Sequence, residues 1–140
     1  GFLAWNWHPA RIFLGDVGSV SLGFMVGWLL LDLAASGAPG AALILPGYYL
    51  LDATLTLLVR LMHGEKVWRA HKKHAYQRAV QRGRTHSAVA VRVAVANAAL
   101  IGCALWSASG GAVPAGAMAV LVTGGLWVSL RFGLAAVARA

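Results

Sequence analysis

Two stretches of the chain hold residue types that can do chemistry. The first, Asn6-Trp7-His8-Pro9-Ala10-Arg11-Ile12-Phe13-Leu14-Gly15-Asp16-Val17-Gly18-Ser19, runs into an apolar segment. Gly15 and Gly18 allow close backbone approach, and Asp16 offers a hard oxygen ligand at a helix start, where free amides also favour phosphate. Asp16 reads equally well as the N-cap of a helix beginning at Val17. The second stretch, Arg60 to Arg78, carries His63, Glu65, Lys66, Arg69, His71, Lys72, Lys73 and His74. A helix over Lys66 to Gln81 would set Val67, His71, His74 and Arg78 on one face. Two imidazoles and a guanidinium there suit a diphosphate, since Arg provides a planar fork and His a proton near neutral pH. His71-x-x-His74 also permits zinc, but no cysteine or carboxylate cluster completes a set of four ligands. The plainer alternative is a solvated polybasic loop that grips anionic lipid.

The elements that must position these residues follow from composition. Of 140 residues, 59% are hydrophobic and 11% charged, with mean hydropathy +0.69, more apolar surface than one soluble core of this size could hide. Lipid is the expected solvent. Four segments approach the ~20 residues that an apolar helix needs to cross hydrocarbon: Val17 to Ala35, Ala41 to Val59, Ala88 to Trp106 and Ala112 to Leu130. Ser36 to Gly40 and Ser107 to Gly111 join them with turn-forming residues. The expected fold class is therefore all-α: a polytopic membrane protein, one membrane domain over 1–140, with about four transmembrane helices and a long basic cytoplasmic loop, 60–87. Buried helices of a large soluble protein are the alternative, which the charge asymmetry disfavours.

Eight of the twelve Lys and Arg residues fall between Arg60 and Arg84, with Glu65 the only acid there. Cytoplasmic loops retain positive charge, so this loop, Arg11, Arg131 and Arg139 are all expected on the cytoplasmic side. A pI near 10.9 would otherwise suggest nucleic acid. Beside lipid-length apolar runs, the expected partners are phosphate-bearing lipids or substrates, and no nucleic acid. Cys103 is the single cysteine, which excludes an internal disulfide, and its apolar surroundings suit a small buried hydrophobe. The Ala, Val and Gly of the last two helices are a close-packing signal. The chain opens Gly1-Phe2-Leu3-Ala4-Trp5, without Met, basic n-region or cleavage site. No secretory signal peptide is expected there, and a piece of a longer protein is.

Asp32, Asp52, Arg92 and Asn97 lie within apolar runs, where polar groups usually face a bundle interior or cavity. Asp32, near the outer end of the first helix, reads as interfacial. Asp52 and Arg92 fall roughly 6 to 11 Å inside the cytoplasmic boundary at 1.5 Å per residue. They are expected to pair between the second and third helices, unless Asp52 floors a cytoplasmic cavity. A transport pathway is a further option, disfavoured by chemistry clustered at one end.

The topology puts Asp16 and the histidines on one membrane face. An acidic metal ligand and a basic phosphate-binding loop are the parts that Mg2+-dependent phosphoryl transfer needs, with Mn2+ the alternative ion. Asn6 to Ser19 resembles the Asn-x-x-Pro-Ala-x-x-Phe-x-Gly-Asp-x-Gly-Ser signature of polyprenyl-phosphate N-acetylhexosamine-1-phosphate transferases, glycosyltransferase family 4. Arg60, Gly64, Glu65 and His71-x-x-His74-x-Tyr76-Gln77 resemble its branch that initiates O-antigen and related surface glycans.

The resemblance implies an enzyme of the bacterial inner membrane with its active face cytoplasmic. It would move a HexNAc-1-phosphate from a UDP-N-acetylhexosamine onto undecaprenyl phosphate and release UMP; a homodimer is compatible. By motif, Asp16 would be the Mg2+ ligand, Asn6 would line the nucleotide pocket, and His71 and His74 would hold the diphosphate. Arg60, Lys72 and Arg78 are assigned to phosphate by charge and position. Two departures stand out. The peptidoglycan branch has three adjacent histidines, whereas His71-Lys72-Lys73-His74 argues against a muramoyl-pentapeptide substrate. The family's early Asp-Asp motif is also missing, since no two acidic residues are adjacent. The expectation is a C-terminal part that does not turn over alone. The competing class is a truncated, non-catalytic membrane module that docks anionic lipid.

Overall fold

The structure, a computed structural model, describes residues 1–7, 9–69 and 71–133. His8 of the first stretch and Arg139 of the expected cytoplasmic side lie outside the described residues. The fold class is all-α, as expected. Seven helices form among the described residues: α1 (Phe2–Asn6), α2 (Gly15–Ala35), α3 (Pro39–Ile44), α4 (Gly47–Met62), α5 (Ala75–Gln81), α6 (His86–Ala108) and α7 (Ala112–Phe132).

By length and composition α2, α6 and α7 can each cross a membrane. The second expected span is divided. Its sequence folds as α3 and α4, parted at Leu45-Pro46, because Pro46 has no N–H to continue the ladder of α3. Pro46 instead caps α4, its carbonyl accepting from the Leu50 amide at 3.0 Å. At the other expected boundary, α2 starts at Gly15 rather than Val17. Gly15 takes φ +64°, a left-handed conformation that glycine adopts without penalty, and brings Asp16 inside the first turn. Asp16 is therefore not the N-cap; Leu14 holds that position without a side-chain bond.

Packing sorts the helices by end. α6 and α7 form the central hairpin. α3 lies on α6 near the turn of that hairpin, where Gly40 comes so close that a Cβ there would meet the Ser107 hydroxyl at 2.5 Å. α4 and α5 lie on α7. The core is built from small residues with a few large ones: Ala75, Ala79, Ala115 and Ala119 pack around Tyr48, Leu100 and Leu130. Small side chains let helices approach until dispersion contacts hold them, which matters where lipid removes most of the hydrophobic drive. Cys103 is free and buried in this core, as its surroundings predicted. α2 packs on α3 and buries none of its residues; Val17 is 87% exposed and Phe24 73%. A helix apolar on every side suits lipid or other membrane helices. Asp32 is exposed near the end of α2.

Candidate active site

The basic loop is held from beneath by Arg60. This residue is 4% exposed, and its guanidinium is spent on the loop itself. Nε donates to Glu65 Oε2 at 3.1 Å, Nη1 to the Val67 carbonyl at 3.0 Å, and Nη2 to the carbonyls of Lys66 at 2.8 Å and Arg69 at 3.2 Å. Gly64, at φ +66°, turns the chain back so that these groups meet. Glu65 also takes Lys73 Nζ, and these two cationic donors hold its carboxyl below the usual range. Arg60 thus shapes the loop where a phosphate contact was expected.

The same clasp explains why Lys66 to His74 is not helical. Carbonyls that a helix would give to amides four residues on are taken by a side chain. The helix forms only at α5, where the Gln77 side chain accepts from the His74 amide at 3.3 Å. Val67, His71, His74 and Arg78 therefore do not share one helical face. The two histidines meet by another route. Their ring centroids stand 4.9 Å apart, and His74 stacks on Tyr76 at 5.7 Å. His71 Nδ1 accepts from the Lys73 amide at 3.4 Å. Desolvation, with the charges of Arg60, His74 and Lys73, pushes the His71 imidazole below its usual pKa.

Under His74 lies Asp52, its side chain 4% exposed. It does not pair with Arg92, which is exposed. Its oxygens accept from His74 Nδ1 at 3.1 Å, the Ala75 amide at 2.9 Å, Trp127 Nε1 at 3.2 Å and Thr56 Oγ1 at 3.5 Å. Where the alternative had Asp52 flooring a cytoplasmic cavity, the structure buries it beneath the loop and bonds it there. Trp127 was not foreseen; its partner lies 75 residues away in sequence. Four residues on, Arg131 lies over its ring at 5.3 Å, donates to the Lys73 carbonyl at 3.5 Å, and gives its own carbonyl to Arg82. α7 is thereby the scaffold of the loop. Of the remaining cations, Lys72 is exposed, and Arg78 stands near Arg82 and Arg131.

The first stretch reaches the same end of the bundle. Trp7 and Tyr76 line one cavity of about 440 Å3, and Asn6 shares a second, of about 530 Å3, with His86 and Ser87. Asn6 itself closes its loop, Nδ2 donating to the Ile12 carbonyl at 2.6 Å. Asp16 is exposed and makes no side-chain bond among the described residues. No three His, Cys, Asp or Glu side chains converge among the described residues, so neither a zinc tetrahedron nor an all-protein cation cage is formed there. One carboxylate nevertheless fits the way Mg2+ is usually held, through one or two carboxylates with phosphate and water oxygens completing the shell.

Comparison with known proteins matches this motif-bearing end. Residues 1–34, which contain Asn6 and Asp16, match the family profile described as Glycosyl transferase family 4. The chain is 30% identical over 90 residues to a Bacillus subtilis protein named "Probable undecaprenyl-phosphate N-acetylglucosaminyl 1-phosphate transferase", covering 61% of this chain and 25% of that one. It is 35% identical over 81 residues to the phospho-N-acetylmuramoyl-pentapeptide-transferase of Moorella thermoacetica, covering 53% and 23%. The corresponding protein of Kosmotoga olearia is 38% identical over 78 residues, covering 53% and 24%. The chain spans about a quarter of the length of these relatives. No solved structure matches it. The family match is seated on the Asn6 to Ser19 motif, so over that part the chain is similar to glycosyl transferase family 4.

Proposed function

We propose that this chain forms one part of the site of a polyprenyl-phosphate sugar-1-phosphate transferase. The substrates are a UDP-N-acetylhexosamine and undecaprenyl phosphate, and the basic loop faces the cytoplasm at the bacterial inner membrane. An oxygen of undecaprenyl phosphate bonds to the sugar-bearing phosphorus of the UDP-sugar, the bond from that phosphorus to the bridging oxygen breaks, and UMP leaves. The observation that carries this reading is that Trp7, in the family-matched stretch, shares a cavity with Tyr76, on which His74 stacks.

In this reading Asp16 supplies a carboxylate ligand to Mg2+, which when bound neutralises diphosphate charge. His71 and His74 hold the diphosphate, while Lys72 and Arg78 add positive potential. Arg60 acts at one remove by fixing the loop, and Asn6 by fixing the turn that leads to Asp16. The name of the Bacillus subtilis relative favours an N-acetylglucosamine donor, and the run His71-Lys72-Lys73-His74 favours the surface-glycan branch.

The test is UMP release by the longer protein that contains this chain. Asp16→Asn is expected to lower turnover on the order of 100-fold or more with helix content unchanged, since a lost metal contact removes several kcal/mol of transition-state stabilisation. Near-wild-type activity would remove Asp16 from the site. His74→Ala is expected to cost more than Lys73→Ala by about tenfold or more. Equal losses would instead support a diffuse lipid-gripping loop.

A further inference from the structure

We infer that Asp52 is a positioning residue, which fixes the ring of His74 in the tautomer with its proton on Nδ1 and leaves Nε2 as a bare acceptor beside His71. The inference rests on the reading of His74 as a substrate contact. An ionised carboxylate can only accept, so an imidazole nitrogen 3.1 Å from Asp52 Oδ2 carries a proton. Oδ1 is held separately, by the Ala75 amide, Trp127 Nε1 and Thr56 Oγ1, so Oδ2 is committed to His74.

The neighbouring ring is set the opposite way. His71 Nδ1 accepts from the Lys73 amide, which leaves its proton on Nε2. With rings 4.9 Å apart, the pair offers one donor and one acceptor. That is the complement of a singly protonated phosphate, which presents one P–OH and bare oxygens. One contact opposes the assignment. The Gln77 amide also faces the His74 side chain, and a bond to Nδ1 there would require the other tautomer. A lone pair so placed would confront the Asp52 carboxylate, a buried repulsion that the Nδ1 proton removes.

The test uses the longer protein that contains this chain, with 15N-labelled histidine and tryptophan in detergent micelles at pH 8, where two-bond proton–nitrogen correlations identify the protonated ring nitrogen. The expected result is Nδ1–H for His74 and Nε2–H for His71. In Asp52→Asn, the amide oxygen can keep the Ala75 and Trp127 bonds while its NH2 faces His74, so the His74 proton is expected to move to Nε2. Retention of the Trp127 indole N–H resonance shows that this variant is folded. Trp127→Phe, which leaves Oδ2 in place, is expected to keep Nδ1–H. A wild-type His74 protonated on Nε2, or a tautomer indifferent to Asp52→Asn, overturns the inference. Because this readout needs no turnover, a wrong tautomer leaves the transferase reading standing. Full activity of His74→Ala would sink the substrate-contact role while leaving the tautomer measured.

Discussion

Arg60 and Glu65 clasp the basic loop onto itself, Nε donating to Oε2 at 3.1 Å while the same guanidinium holds the carbonyls of Lys66, Val67 and Arg69. A side chain at the end of α4 thus replaces the hydrogen bonds that a helix would have made. It also decides how His71 and His74 are presented.

Removing that clasp should loosen the loop before it unfolds the bundle. Arg60→Ala is expected to cost on the order of 3 kcal/mol, the scale of losing charge-assisted bonds from a buried guanidinium. Arg60→Lys should recover less than half, because an ammonium lacks the planar fork. Denaturant titration in mixed micelles gives the cost, and limited proteolysis between Lys66 and Lys73 reports the loop. Wild-type stability in Arg60→Ala would refute the clasp.

Arg92 offers a control on the ion pair that the sequence suggested and the fold did not make. Arg92→Ala should change stability by less than about 0.5 kcal/mol, as expected for an exposed side chain away from any network. The double charge exchange Asp52→Arg with Arg92→Asp should be no more stable than Asp52→Arg alone. Recovery in that double variant would restore the direct pair.

The loop should also loosen as pH falls, in two windows. His71 has its pKa depressed below the usual 6.5, so its neutral form stabilises the loop above that value and the contribution is lost as pH drops through the lower folded pKa. Glu65, depressed below 4.5, acts in the same direction at lower pH. Proteolysis of the loop by a protease active from about pH 4 to about pH 7, the span of the usual Glu and His pKa values, should accelerate on acidification. His71→Gln should flatten the upper window and leave the lower one.

The candidate residues themselves were named from local pattern. Gly15-Asp16 at the entry to an apolar run, and His71-x-x-His74 in a basic segment, needed only residue type and spacing. Other features were not. Pro46 divided an apolar run because a missing N–H outweighs hydropathy. The helix expected from Lys66 failed because Arg60 claimed its carbonyls. Trp127 and Arg131 share a face at a spacing of four, a signal that α7 presents something at its end, but nothing local names Asp52 and Lys73 as their partners.

By itself the sequence determined an all-α membrane protein with one concentrated basic segment, because apolar length and charge placement are properties of contiguous residues. Which groups meet there was decided only by tertiary structure. Asp52 had Arg92 as its expected partner. It took His74, the Ala75 amide and Trp127 because α4, α5 and α7 pack together. A buried carboxylate is satisfied by whichever donors the packing delivers, and that choice is not written in its neighbours along the chain.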